Sequence, residues 1–213
     1  EELYNSKNKV FGKIKKAIVH SVNDTIEINK KICEDDTYLI YSFRNSTSTK
    51  LNDYLRELTF LENNKKLFDD EFNNLVTESY SKISKIKENI LSYNEEFVKR
   101  RKKEYAHLFK RASLTLDDDQ QTAIVTDEKH NLVVAGAGSG KTEVLITRIA
   151  YLIQRKPDTI EANKILALAF QNKAAAEVRE RLKNRYNVDV EIRTFHSLGQ
   201  RILQDAMKQK SRE

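Results

Sequence analysis

Cysteine occurs once in the 213 residues, at Cys33, so neither a disulfide framework nor a thiol cluster for zinc is available, and a reducing, cytoplasmic setting is the expectation. Tryptophan is absent, proline occurs once, and neither glycine nor proline appears between Lys13 and Ala135. That stretch lacks the residues that punctuate chains into turns, which favours long helices. Long apolar runs are missing too. The most apolar segments, Tyr38–Tyr41 and Ile165–Phe170, fall far short of the roughly 20 residues a membrane helix needs, and no charged-then-apolar leader opens the chain. No membrane partner is expected. A hydrophobic share of 39% against 33% charged residues excludes disorder throughout, while the net charge of +6 permits a polyanionic partner without demanding one. The run Lys99, Arg100, Arg101, Lys102, Lys103 reads first as a solvated helix face and second as a nucleic-acid patch.

Apolar residues then set the elements. Leu51, Leu55, Leu58, Phe68, Phe72 and Leu75, and again Ile83, Ile86, Ile90, Tyr93 and Phe97, recur in steps of three and four. Two long amphipathic helices, interrupted around Asn63–Asp70 and folded back as an antiparallel pair, are predicted, with Phe72 in their core. Ser46–Thr49 reads as a loop or a helix start, and Thr37–Phe43 as a strand or a buried helix, with helix preferred. After Ser113 the texture changes. Four of the five glycines and the one proline lie there, and short apolar runs alternate with helical patterns: Asn131–Ala135, Ile165–Phe170 and Val188–Thr194 as strands, each followed by a helix. Lys156–Asn163, with Pro157, links the first of these helices to the second strand. The expected fold is α/β: helices over 1–112, then a parallel sheet covered by helices over 113–213.

The strongest local signal is Ala135-Gly136-Ala137-Gly138-Ser139-Gly140-Lys141-Thr142, set between an apolar run and an amphipathic helix. Glycines let the backbone wrap closely around phosphate oxygens, and the helix that begins there directs its free N–H groups and positive dipole end at the anion. Lys141 would pair with the β and γ phosphates, and the Thr142 hydroxyl would bind the Mg²⁺ that bridges them. Gly136, Ala137, Gly138, Ser139, Gly140, Lys141 and Thr142 are therefore the expected binding residues for ATP, with Lys141 and Thr142 serving the chemistry. Ala135 stands where the generic pattern has glycine.

The form of this loop resembles that of superfamily 1 helicases of the UvrD/Rep kind, with helicase IV-like proteins nearest in character. Three further segments carry the resemblance. Leu116–Ala123 is similar to the family's Q motif, which makes Gln120 the residue expected to read the adenine edge with its amide. Ile165–Arg181 looks like motif Ia, matching at Phe170, Asn172 and Lys173, and Arg193–Leu198 resembles the next strand-contacting segment, with Thr194, Phe195 and His196. Alone, both phenylalanines would read as core packing and His196 as a helix-start residue; order and spacing after the loop reverse that reading. Glu143 departs from the family, whose members often carry Arg there, and Gln171 stands where many have Thr. The run Asn94–Val98 ahead of basic residues is similar to the extension that precedes the motor in helicase IV-like proteins.

The resemblance implies an ATP-dependent DNA helicase or translocase with ATP and Mg²⁺ as cofactors and single-stranded DNA as partner, RNA remaining open, and a protein partner available to the amino-terminal helices. Its fold implication is the first part of RecA-like motor domain 1A. The acidic pair and the arginine fingers that complete such a motor are not recognisable before Glu213. This chain is accordingly expected to be an amino-terminal piece, inactive by itself, of an active parent enzyme. The alternative implied by the same motor is a helicase-like ATPase that remodels a protein complex such as RNA polymerase. A P-loop kinase is disfavoured by the Gln120 element and the absence of a recognisable acceptor lid.

Overall fold

Three long helices take up the stretch poor in glycine and proline in the computed structural model, which describes residues 2–111 and 114–210. They are α1 (Glu2–Asp35), α2 (Tyr41–Asn63) and α3 (Asp70–Glu104), with a 3₁₀ turn at Lys65–Leu67 making the predicted interruption. The chain divides into two compact units between residues 99 and 100, with 127–130 counted in the first. The division expected between residues 112 and 113 lies outside the described residues.

The first unit departs from the expected helical pair, because a third helix shares its core. Ile18 and Ile32 of α1 meet Leu51 and Leu58 of α2 and Phe72, Val76, Ile83 and Ile90 of α3. Phe11 packs edge-on against Phe68 and Phe72 at one end, and Leu39, just past α1, bonds to Asn94 at the other, so α1 and α3 run in the same direction. α2 returns between them, tied to α1 by Lys50–Asp24 at 2.8 Å. The segment before Lys50 also differs from expectation. Asp36 adopts a positive φ of 44° and ends α1, residues 36–40 are irregular, and α2 begins at Tyr41. Ser46–Thr49 lies inside α2, where Ser46 and Thr49 return their hydroxyls to the carbonyls of Phe43 and Asn45 and so remain satisfied without a loop.

The irregular connector is held at Leu39 by two side chains, Asn94 and Arg44. The Leu39 N–H donates to Asn94 Oδ1 at 3.0 Å, and Asn94 Nδ2 donates back to the Leu39 carbonyl at 2.8 Å. Both backbone groups are buried, where an unpaired amide costs about 1–3 kcal/mol, so Asn94, joined at the carbonyl by Arg44 Nε at 3.1 Å, replaces the hydrogen bonds that helix would have supplied.

In the second unit, α4 (Ala106–Phe109) leads into a two-residue antiparallel ladder of β1 (Lys110–Arg111) and β2 (Leu114–Thr115). Then come α5 (Asp118–Val125), α6 (Lys141–Gln154), β3 (Leu166–Ala169), α7 (Asn172–Tyr186), β4 (Glu191–Thr194) and α8 (Phe195–Lys210). β3 and β4 pair in parallel, Leu166 with Glu191 through Ala169 with Thr194, which is the small α/β sheet of the chain. Ile146 and Ile149 of α6 and Ala175, Val178 and Leu182 of α7 cover it with Ala167 and Ile192. β4 is shorter than the expected Val188–Thr194, because Asn187 takes a left-handed φ of 52° to close α7 and the ladder resumes only at Glu191.

The strand expected at Asn131–Ala135 does not form: no strand among the described residues pairs with it, and Leu132 and Val134 are 88% and 86% exposed. An apolar run becomes a strand only when a neighbour takes its N–H and C=O groups. The basic run is also not a uniformly solvated face. Arg101 is buried and pairs with Glu104 at 3.0 Å, Lys102 pairs with Asp118, and Lys99 pairs with Glu96.

Candidate nucleotide and nucleic-acid site

The phosphate-binding candidate is a turn of small residues feeding a buried helix. Gly138 and Gly140 have φ of 76° and 79°, a region that disfavours side chains, and Gly140 forms the N-cap from which α6 starts at Lys141. The helical ladder opens with Val144 N–H to the Gly140 carbonyl at 3.0 Å, leaving the preceding first-turn amides without intrahelical acceptors. Open space surrounds Gly136 and Gly138, since a Cβ at either would meet nothing within 4 Å. The loop is exposed while α6 is anchored below it by Val144, Ile146, Ile149, Ala150 and Tyr151, all buried. Tyr151 meets the Tyr105 ring edge-on with centroids 5.1 Å apart, fixing the far end of the helix.

Lys141 and Thr142 are both exposed at the first turn. The Lys141 ammonium donates to the Ala135 carbonyl at 2.9 Å and to that of Gly136, so its charge lies inside the loop's own curve. Ser139 Oγ donates to the Gly136 carbonyl at 2.8 Å and braces the turn. These features fit a nucleotide with its magnesium ion: an open glycine cradle, a helix start, an ammonium and a hydroxyl at one end of a rigid helix.

Gln120 stands beside this loop although 19 residues of sequence separate it from Ser139. Its Nε2 donates to the Ser139 carbonyl at 3.1 Å, and its Oε1 accepts from the Asp117 N–H at 2.9 Å. Asp117 in turn accepts from the Gln120 backbone N–H at 2.8 Å, a reciprocal cap that starts α5. Here the amide therefore joins two segments of the protein, and reading a base would require it to exchange these partners.

Phe170 follows β3 and Phe195 follows β4, and because Ala169 pairs with Thr194 the two rings emerge at adjacent strand ends, where neighbouring strands lie about 4.8 Å apart. They are 88% and 64% exposed, so neither fills a core. Asn172, Lys173 and His196 are exposed on the same edge, at the starts of α7 and α8. Thr194 is different. It is buried, its Oγ1 accepts from the Ser197 N–H at 3.2 Å, and its own N–H donates to Ser197 Oγ at 3.1 Å. Its side chain caps α8 rather than facing outward.

Sequence reasoning missed what Glu143 does. It lies one residue past Thr142 yet is only 7% exposed, turned from the loop toward α7, where Arg185 grips one carboxylate oxygen and Arg181 lies 3.9 Å from the other. The signal available in the chain was Arg181 and Arg185 spaced four apart on one helix face; their carboxylate partner, 42 residues before Arg185, was not legible.

Residues 116–213 match the model of the UvrD/REP helicase N-terminal domain. Over this segment the chain is similar to the UvrD/Rep helicases. Relatives agree: the chain is 41% identical over 120 residues to DNA helicase IV of Escherichia coli (strain K12), covering 55% of this chain and 17% of that protein. It is 45% identical over 94 residues to the ATP-dependent DNA helicase UvrD1 of Mycobacterium leprae, covering 42% of this chain and 12% of that one. ATP-dependent DNA helicase PcrA of Staphylococcus aureus is 43% identical over 91 residues, with 41% and 12% covered. The chain thus spans about a sixth or less of the length of these UvrD/Rep relatives. Among the described residues no helix is long and apolar enough to cross a membrane, and no cluster of His, Cys, Asp or Glu is arranged to hold a metal by itself.

Proposed function

We propose that this chain contributes the nucleotide loop and one strand-binding edge of an ATP-dependent DNA helicase or translocase, with residues 113–213 forming part of a RecA-like motor domain 1A and residues 1–112 a helical extension. The single observation that carries the reading is the pairing of an exposed glycine cradle at the start of α6 with two exposed rings at the adjacent ends of β3 and β4. Open parallel sheets gather ligands at the carboxyl ends of their strands, where the two rings stand, and the phosphate-binding turn is carried by α6 of the same unit.

When bound, ATP with Mg²⁺ supplies the phosphoanhydride whose hydrolysis powers movement. The roles of the chain's residues follow from their chemistry. Lys141 exchanges the Ala135 and Gly136 carbonyls for phosphate oxygens, Thr142 presents its hydroxyl to the metal, and the first-turn amides of α6 with Gly138 and Gly140 line the phosphates. Gln120 holds the loop from the side and, on exchanging the Ser139 and Asp117 partners, offers its amide to the adenine edge. Phe170 and Phe195 stack on bases of a single strand, while Asn172, Lys173 and His196 hold its phosphates. The exposed Cys33, unpaired with another cysteine, accords with a cytoplasmic setting. ATP turnover by the full-length protein, measured with and without single-stranded DNA, tests the proposal: strand-stimulated hydrolysis is expected, and nucleotide binding that never responds to the strand would overturn it.

A further inference from the structure

The buried carboxylate of Glu143 does no work at the phosphates, yet it occupies the one turn of α6 that carries Lys141 and Thr142. Its oxygens are engaged by Arg185 and Arg181, both on α7. One turn further along α6, Thr147 Oγ1 and the Tyr186 hydroxyl lie 3.2 Å apart, a second tie between the same two helices. α7 is an uninterrupted helix whose opening residues are Asn172 and Lys173, separated from Phe170 by Gln171 alone. It is also bound to the other strand end: Arg179 Nη2 donates to the Ile192 carbonyl in β4 at 2.8 Å, two residues before Thr194.

We propose that Glu143 is a positioning residue, the joint through which the nucleotide loop and the strand-binding edge share one equilibrium, acting through its ion pairs with Arg181 and Arg185 on α7. The inference rests on the nucleotide and strand reading given above and adds how its two halves communicate. A helix moves as a rigid body over the few ångströms at issue, so a change in the first turn of α6 reaches α7 through a buried carboxylate more directly than through side chains that slide. From α7 it reaches Asn172 and Lys173 along the helix and Phe195 through the Arg179 bond to β4. Coupling of this kind is reciprocal: whatever factor the strand adds to nucleotide affinity, the nucleotide adds to strand affinity. Glu143→Gln keeps the shape of the side chain and one hydrogen-bond acceptor while removing the charge that draws two guanidiniums together.

The test uses the full-length protein, a fluorescent non-hydrolysable ATP analogue and labelled oligothymidylate. Each affinity is measured alone and in the presence of the other ligand, for the wild type, Glu143→Gln and Arg185→Gln. The wild type is expected to show coupling of about fivefold or more, the usual lower range for linked sites. Both variants are expected to bring that factor to within twofold of one while each separate affinity stays within about threefold. Arg185 is partly exposed, so its variant keeps the test decisive if Glu143→Gln folds poorly. Coupling that persists in Arg185→Gln overturns the proposal, as does a wild type in which both ligands bind without influencing each other. Loss of analogue binding in Arg185→Gln without the strand also overturns it, because Glu143 would then build the loop rather than link it. A wild type that binds no analogue at all refutes the nucleotide reading itself, a distinct result.

Discussion

Replacing Phe170 by alanine separates a strand-stacking ring from a packing ring because the two roles predict opposite patterns. The ring is 88% exposed, so only about an eighth of a Phe side chain, roughly 25 Å² of the ~200 Å² such a group can bury, is removed from water. At about 25 cal/mol per Å² the truncation costs roughly 0.6 kcal/mol of stability. A buried neighbour gives the contrast: Leu182, with 1% exposure in the core of the same unit, should cost about 2–5 kcal/mol on truncation to alanine. Stacking on a base works the other way. If the strand lies across the ends of β3 and β4, Phe170→Ala should weaken single-strand binding by about 1–3 kcal/mol, roughly 5- to 150-fold. Phe195→Ala should do the same, and the double variant should lose less than the sum if the rings hold neighbouring bases of one strand. Urea denaturation of the chain and fluorescence anisotropy with labelled oligothymidylate on the full-length protein measure the two quantities. A stability loss above about 3 kcal/mol with unchanged strand affinity would refute the reasoning, since a ring with this exposure has no core to vacate.

Other perturbations follow from single features. Asn94→Ala leaves the buried Leu39 N–H without its acceptor, while Arg44 still serves the carbonyl, and should cost about 1–3 kcal/mol, read as a lower urea midpoint; a change below about 0.5 kcal/mol would show that the connector finds other partners. Burial pushes the Tyr151 phenol up to about 12 from its ordinary 10. The folded state then keeps a proton that the unfolded chain gives up near pH 10, so this contribution is whole below pH 10 and is lost between pH 10 and 12, by up to about 2–3 kcal/mol. Tyr151→Phe should flatten the stability profile over that window, and an identical alkaline profile in the variant would contradict the assignment.

The parts of this chain visible in the sequence were those governed by local chemistry. The heptad-like spacing of Leu51, Leu58, Phe72, Ile83 and Ile90 marked residues that do fill the helical core, and the turn between α2 and α3 falls where the apolar pattern breaks. The glycine cradle and the helix at Lys141 were equally legible, because the turn demands residues that tolerate positive φ. What could not be read depends on partners distant in sequence. α1 is the exception, a miss that was legible: Phe11, Ile14, Ile18, Val22, Ile28 and Ile32 recur at helical spacing and face the core. Asn131–Ala135 has the composition of a strand but no neighbour among the described residues, and hydrogen bonding rather than composition makes a strand. Thr194 matched a strand-contacting motif by position, yet its hydroxyl is committed to Ser197 at the start of α8, a choice that depends on backbone geometry. Glu143 looked like a defect in a nucleotide site and is a tertiary ion pair.

The claim that a nucleotide held at the start of α6 drives work on a strand held elsewhere is tested most directly by Lys141→Ala in the full-length protein, with unwinding and single-strand affinity measured on the same preparation. Lys141 touches only the loop carbonyls of Ala135 and Gly136, and it lies outside the edge formed by Phe170, Lys173 and Phe195. The account predicts that ATP-driven unwinding is abolished while single-strand affinity without nucleotide stays within about threefold of wild type, because the phosphate partner is lost and the strand contacts remain. Unwinding at the wild-type rate would contradict it.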